Sequence, residues 1–537
     1  MDGRRRPSIG SLSVSHFRDA LRKSTARPIS PRDRQWFFVP YDQLTDQVGP
    51  LSRCSPTESG IVIVESTWKP RQRPYHKQKL ALVLASSRAF ALEQAARGVA
   101  VRHLAGDGSY AEQLAPLIEE LGPLTMMEAA ERELRTDLEP LVQAGVIRVE
   151  ENETWLSTPE QFAAVFRDSG QWRADRFYRH MRRETGFLMD GDSPEGGQFS
   201  FDPENRKRWK GEPPAPSVPR FPIDPIKQEV VDLVAGHFKQ HPGRLDVNQL
   251  PSTLADAEAL WSRAVTECLP CFGPYEDAMS TASEGLFHTR ISPLLNNGRL
   301  LPRRVVEEVA ALDAPIASRE GFVRQVLGWR EFMRHVHRET DGFRSLPRGH
   351  QRDLLGAKVA LPDAFWGRSS GLHCLDHVVE GVWQTGYGHH ITRLMVLSNL
   401  ATLLDIDPRA LTDWFWCAYL DAYDWVVEPN VLGMGTFSLG DLFTTKPYVS
   451  GAAYLAKMSD YCGDCAFSPK RDCPITPMYW DFLARHAETL DGSARMAMPL
   501  RSVARRSSEQ RAADREVTAW VSATLAKGGQ LHPENRP

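Results

Sequence analysis

Three short stretches carry residue types whose spacing can do chemistry. The first is Cys462-Gly-Asp-Cys465 followed by Cys473-Pro474. A C-x₂-C pair chelates a soft metal through two thiolates, and a third Cys eight positions on can close around the same ion or cluster. Cys374 is the best fourth ligand, because Cys417 lies in an apolar helical pattern and Cys54, Cys268 and Cys271 belong to distant segments. His373 or His377 could take that place around zinc, and spacing alone does not separate zinc from iron–sulfur. A redox reading of the C-x-x-C is weaker, since no thioredoxin-like βαβ unit surrounds it. The second stretch is GYGHHITRLMV, 386–396. His389 and His390 point about 100° apart on a helix, with Arg393 one turn on. Paired imidazoles at a cleft suit proton donation, whereas a bare pair with no context only caps or packs a helix start. The third is WFWCAYLDAYDWVVEPNVLGM, 414–434, where Asp421 and Asp424 flank a dense aromatic run. Such density is usually core, yet a string of Trp and Tyr can also relay electrons, because their rings are oxidisable.

The elements that hold these residues follow from pattern. WFFVP (36–40) and GIVIVEST (60–67) are short and β-branched or aromatic, as buried parallel strands are. Leu80, Val83, Leu84, Phe90 and Leu92 recur at helical spacing until Gly98, and VAVRHLA (99–105) is the next strand. That order predicts a doubly wound parallel-sheet α/β domain over 36–170. Arg173, Arg176, Arg179, Arg182 and Arg183 lay a basic stripe on one helix, read as a solvated face before phosphate contact. Residues 171–225, with the Gly- and Pro-rich stretch 196–219, read as an interdomain connector. From 226 to 537 strand signals fade and helical patterns succeed one another at 254–268, 303–312, 319–338, 374–383, 389–404, 408–422 and 475–490, an all-α domain. Residues 1–35 hold nine Lys/Arg against three Asp with almost no apolar pattern, and read as a disordered basic arm.

Composition bounds the function. The 537 residues are 42% hydrophobic and 25% charged, which excludes a mainly disordered or fibrous chain. No apolar run is long enough to cross a bilayer. Eight Cys are too few for a disulfide scaffold of this length, and the absence of a signal-peptide pattern predicts a reducing, cytoplasmic setting. The net charge of −3 requires any polyanion to be met locally. Residues 106–170 hold 14 acids and four Arg, so that lobe should repel nucleic acid. Residues 446–537 hold 13 Lys/Arg against ten acids, a modest basic rim that includes Arg501, Arg505 and Arg506.

Taken together, these segments resemble the photolyase/cryptochrome superfamily, and within it the iron–sulfur bacterial branch of prokaryotic (6-4) photolyases. The resemblance runs in order through YHKQKLALVLASSRAF (75–90), FYRHMRRETGFLM (177–189) and CFGPYEDAMSTASEGLFHTRISPLLNNG (271–298). It continues through EGFVRQVLGWREFMR (320–334), GYGHHITRLMVLSN (386–399), LDAYDWVVEPNVLGM (420–434) and TKPYVSGAAYLAKMSDYCGDC (445–465). It implies an N-terminal antenna domain and a helical domain holding a U-shaped FAD. Tyr275, His288, Thr289, Ile291 and Ser292 match the loop that holds its phosphates and ribityl chain, as a helix N-terminus suits a pyrophosphate. Gln325, Trp329 and Arg330 match the next flavin-facing helix, Arg393 and Asp421 the ion pair beside the flavin, and Asn430 a position near its ring. Cys374, Cys462, Cys465 and Cys473 fall where the branch places the ligands of a 4Fe-4S cluster, with a shorter gap after Cys465.

The resemblance further implies that His389 and His390 face a DNA lesion, with Tyr448 and Met434 lining its pocket. Trp366, Trp414 and Tyr454 match the electron relay, while Trp383, Trp416 and Trp425 are read as packing. Phe415 stands where relatives carry Tyr, and Val427 precedes Glu428 where the branch tends to have Glu directly after Trp-Val. The branch's antenna is 6,7-dimethyl-8-ribityllumazine, with Glu65 and His76 as its expected contacts, but PYDQL (40–44) replaces the usual Gly-Asp-Gln-Leu. The expected function is light-driven repair of (6-4) photoproducts in UV-damaged DNA by a monomer, nucleoid-associated when bound. A blue-light receptor of the same fold is the alternative, and a metal-stabilised helical nucleic-acid-binding protein the third.

Overall fold

The computed structural model describes residues 15–24, 33–167 and 171–537. Five parallel strands, β1 (Gln35–Phe38), β2 (Ser59–Ser66), β3 (Ala100–Gly106), β4 (Leu124–Met127) and β5 (Ile147–Glu150), lie in the order β3-β2-β1-β4-β5. Phe37 pairs with Ile61 on one side and Thr125 on the other, so β1 is central. Its buried aromatic side chains fill both faces, as a sheet covered by helices on both sides requires. Helix Lys77–Ala96 crosses from β2 to β3, helix Tyr110–Leu121 from β3 to β4, and helix Arg132–Gln143 from β4 to β5. Apolar strand pattern made β1, β2 and β3 legible. β4 (LTMM) and β5 (IRVE) carry no comparable β-branched or aromatic run.

From Pro225 onward the regular elements among the described residues are helices, joined by loops as long as 340–362, with one isolated bridge. Helix Pro408–Ala418 stops four residues earlier than its pattern predicts, since Tyr419 is extended and the chain turns sharply before Asp424. The connector is a strap docked on the helices rather than a free linker. Phe201 and Asn205 are buried, and the Asn205 side-chain amide donates to Glu276 at 2.6 Å. Nor is the basic stripe wholly solvated. Arg182 on helix Ala174–Thr185 is fully buried and donates to the carbonyls of Phe187 and Phe199.

The arm reading fails for Ser15–Ser24, which is a helix with Phe17 completely buried. The Phe17 ring meets His103 edge-on at 4.9 Å, and the amides of His16 and Phe17 donate to Glu229 at 2.8 and 3.2 Å. One aromatic anchor and a carboxylate at the helix N-terminus dock it, a combination a charge count does not register. Residues 1–14 and 25–32 of that arm, and the boundary read at 170, lie outside the described residues.

Candidate functional site

The helical region encloses a cavity of about 300 Å³. Three helices supply its walls, and each is wound as a π-helix where it faces the cavity: Arg324–Arg330, Thr392–Ser398 and Pro429–Gly435. A π turn inserts one residue and re-aims the side chains around it, which is why such turns gather at functional sites. Here they aim Gln325, Trp329 and Arg330, then Arg393, then Asn430 and Met434, into one space. No local sequence signal announces this widening.

His288, Thr289, Ile291 and Ser292 form a fourth wall leading into helix Ser292–Asn296. Arg393 grips Asp421 by two bonds of 2.9 and 3.0 Å, and Ser292 Oγ donates to Asp421 at 2.7 Å. Burial pushes the Asp421 carboxyl up, but Arg393 and these bonds outweigh it and hold the carboxyl below its usual range. The same guanidinium lies 3.9 Å over the Tyr419 ring. Asp421 is therefore a fixed anion and Arg393 a fixed cation whose position does not depend on any ligand.

His389 is buried and stacks on His288 at 4.5 Å with 15° between the rings. Burial, then the neighbouring His288 and His390, drives its proton affinity well below normal. His288 is lowered to about 4 by burial, and its Nε2 lies 3.1 Å from the Glu276 carbonyl. The ring of His390 is exposed to the open cavity yet surrounded by protein mass, which lowers it to about 4 despite Glu276 nearby. Burial thus disfavours the protonated form of all three imidazoles. Two residues of this wall, His389 and Arg330, each keep a buried ring or guanidinium nitrogen without a protein partner. Both atoms lie behind the cavity surface, so the polar groups offered to a ligand are those of the other lining side chains.

Tyr275, expected in this wall, stands outside it. Its hydroxyl donates to the Glu212 carbonyl at 3.2 Å and its ring packs on Phe287 at 5.3 Å, so it fastens the strap. Glu276, not singled out from the sequence, faces the cavity and is held by Asn205, Gln325 and Arg324. The signal for it was the Glu-Asp pair inside the 271–298 stretch. Val427 and Phe415 both line the cavity. Glu428 belongs to a separate cluster, bonded to His337 at 2.9 Å and Arg409 at 2.7 Å. The wall at Val427 is therefore apolar.

Aromatic rings connect this cavity with the surface. Trp366 is 44% exposed and stacks on Trp383 at 5.6 Å; Trp383 meets Trp414 edge-on at 5.7 Å; Trp414 meets Phe415 at 5.3 Å. Trp383 and Trp414 both donate their indole N–H to the Phe365 carbonyl, at 3.0 and 2.9 Å. That shared acceptor fixes the two rings against each other. Trp383, read from the sequence as packing, lies between Trp366 and Trp414 in this series of rings. Tyr454 takes no part in it. Burial and Asp277 raise the Tyr454 hydroxyl, with Arg206 and Asp202 close by. Tyr448, also raised by burial, has Arg495, Asp202 and Arg206 as neighbours and lies outside the cavity wall, under Lys446 at 5.9 Å.

The four expected cluster ligands converge from three segments: Cys374 in the first turn of helix His373–Thr385, Cys462 and Cys465 after helix Ala452–Met458, and Cys473 just before helix Ile475–Arg485. Burial and the other three thiols raise Cys374 well above normal, and burial with Cys465 and Cys462 nearby pushes Cys473 up to about 12. No set of three His, Cys, Asp or Glu stands close enough to hold a single ion among the described residues. The donor set brought together is four cysteines, the residue type that binds both structural zinc and iron–sulfur clusters. His373 and His377 stack at 5.8 Å beside the group, and His377 also leans on Tyr461.

His76 does not reach the crevice at the sheet. Its Nδ1 accepts the Gln78 amide at 3.0 Å to cap helix Lys77–Ala96, and its ring stacks on Trp383 at 5.8 Å. Glu65 does line that crevice but is paired with Arg88. No helix among the described residues is long and apolar enough to cross a membrane.

Residues 37–250 match the family model described as deoxyribodipyrimidine photo-lyase-related protein. A (6-4) photolyase of Agrobacterium fabrum is 33% identical over 509 residues, covering 90% of this chain and 98% of that protein. An uncharacterized protein, R855, of Acanthamoeba polyphaga mimivirus is 33% identical over 102 residues, 19% of this chain and 80% of its own. The crystal structure of a bacterial class III photolyase from Agrobacterium tumefaciens shares the fold, with a TM-score of 0.52 at 17% identity over 94% of this chain and 99% of that one. With a parallel-sheet α/β region, a helical region around a lined cavity, and this identity along nearly the full length, the chain belongs to the photolyase/cryptochrome superfamily.

Proposed function

We propose that the protein is a light-driven (6-4) DNA photolyase. The observation that carries this reading is the cavity itself, where the neutral His389 and His390 share one wall system with the Arg393–Asp421 pair. The residues fit FAD: a cation, an anion, hydroxyls and aromatic rings line one cavity. His288, Thr289, Ile291 and Ser292 would hold its phosphates and ribityl chain, and Gln325, Trp329, Arg330, Arg393, Asp421 and Asn430 its rings. Bound flavin would supply the photoexcited one-electron donor. The four cysteines would hold a 4Fe-4S cluster that ties the 452–475 segment to helix His373–Thr385.

The chain's own residues do the rest. His390 presents a neutral ring whose N–H donates a hydrogen bond to a lesion carbonyl. A phosphate entering beside it would raise its proton affinity and turn it into an acid only when DNA is bound. His389 stacks behind and keeps His390 in place. Trp414, Trp383 and Trp366 would pass electrons inward from the surface, where an external thiol reductant refills Trp366. Lys446, Arg495 and Arg206 near Tyr448 would meet DNA phosphates, so affinity should fall steeply with salt. Extruding the damaged dinucleotide costs least where its pairing is already broken.

The decisive experiment illuminates reduced protein with a (6-4)-containing oligonucleotide. Wild type restores the bases and His390→Ala does not while retaining flavin; loss of flavin in His390→Ala would make that residue structural. A second reading, a light receptor of the same fold, is favoured by the apolar Val427 wall, which leaves no acid at that position. No restored bases at stoichiometric wild-type protein would select it.

A further inference from the structure

The strand order reverses between β1 and β4. Ligands of open α/β sheets bind beyond the carboxyl ends of the strands at such a reversal. In this protein that crevice is lined by Tyr41, just after β1, Glu65 near the end of β2, Glu131, just after β4, and by Lys69, Lys79 and Tyr423. All six are buried.

The polar groups of Tyr41, Glu65, Lys69, Lys79 and Glu131 already have partners within the protein, and Tyr423 contributes its ring. The Tyr41 hydroxyl donates to Glu131, and Lys69 donates to Glu131 and, at 2.9 Å, to the Tyr41 oxygen. Glu65 receives two bonds from Arg88, at 2.6 and 2.8 Å. Lys79 donates to the carbonyls of Trp416 and Ala422, the first at 2.8 Å. The Tyr41 ring stacks on Tyr423 at 6.2 Å with 16° between planes. Tyr41 and Lys69 come from the sheet side; Tyr423 and the two carbonyls come from the helical region. What they leave between them is about 80 Å³. Ligand pockets begin near roughly 300 Å³, and a two-ring pigment with a five-carbon polyol tail does not enter a quarter of that.

We infer that this crevice is a filled joint clamping the sheet to the helical region, with Tyr41 as its plug, and that it binds no second pigment. Tyr41 stands where the family pattern has Gly, and a glycine would leave the centre of the joint empty. The inference goes beyond the reading of the helical cavity and stands whichever reaction that cavity performs.

The test titrates purified full-length protein, flavin retained, with 6,7-dimethyl-8-ribityllumazine, following quenching of the lumazine fluorescence and equilibrium dialysis. Wild type and Tyr41→Phe are expected to show no saturable binding, and Tyr41→Gly to bind the pigment saturably. Lumazine recovered with wild type, or saturable binding by wild type, overturns the inference whether or not Tyr41→Gly folds. A folded Tyr41→Gly that still excludes the pigment overturns the role of Tyr41 as plug.

Discussion

Two crevices in this molecule are built from similar residue types and have opposite fates. The helical cavity holds an Arg–Asp pair, three histidines and aromatic walls, and keeps about 300 Å³ open. The crevice at the sheet holds Lys–Glu and Arg–Glu pairs with tyrosines, and closes on itself to about 80 Å³. The difference is in how the charges pair. Arg393 and Asp421 sit side by side along one wall, so their pairing leaves the middle free. Lys69 and Glu131 bond each other directly and both bond the Tyr41 hydroxyl, so the three side chains together fill the space. A polar lining alone therefore does not mark a ligand site; what matters is whether its groups satisfy one another across the space or beside it.

The largest expected effects break one side of this comparison at a time. Replacing Cys462 by Ala should remove bound iron and most of the soluble protein together, because cluster binding is folding free energy; iron analysis and soluble yield check this. Arg393→Ala leaves Asp421 buried and unpaired, which should cost about 3–5 kcal/mol and abolish flavin retention, read by thermal unfolding and absorption. Lys69→Met strands Glu131 in the same way and should cost a similar amount, but flavin content should be unchanged. If Lys69→Met also strips flavin, the two crevices are not independent.

Next in size is the relay. Trp383→Phe keeps the packing but not the oxidisable ring, and should slow photoreduction by roughly tenfold, about 1.4 kcal/mol of barrier, with flavin still bound. Transient absorption of tryptophan radicals would detect the change. Smallest is a pH effect on stability. Burial lowers His76 and His288 to about 4, so each is proton-free in the fold while the unfolded chain takes up a proton below about 6.5. Their contribution is complete above 6.5 and is lost as pH falls from there toward 4. Thermal unfolding by circular dichroism should show a Tm that declines over this window, and a flat Tm would mean these histidines are not held neutral.

Much of the site was legible because its chemistry lies in contiguous motifs. Glycine, histidine and arginine at 386–393, the phosphate-type loop at 288–292 and the four cysteines are each local patterns that fold onto their expected neighbours. Less legible were residues whose role depends on where another segment arrives. Trp383 looked like packing until the Phe365 carbonyl and the rings of Trp366 and Trp414 came round it. Tyr275 sits in the right motif, but the strap draws its hydroxyl away to Glu212. Phe17 lay in a segment whose charge concealed its single anchor.

By itself, then, the sequence carried the parallel-sheet and helical halves through its periods, and the cavity's histidines, ion pair and cysteines through motifs that resemble a known family. Tertiary structure alone decided which crevice stays open. The π-wound turns that widen one and the Tyr41–Glu131–Lys69 contact that fills the other join residues far apart in the chain. Volume is a property of all the walls at once, and no single wall carries it.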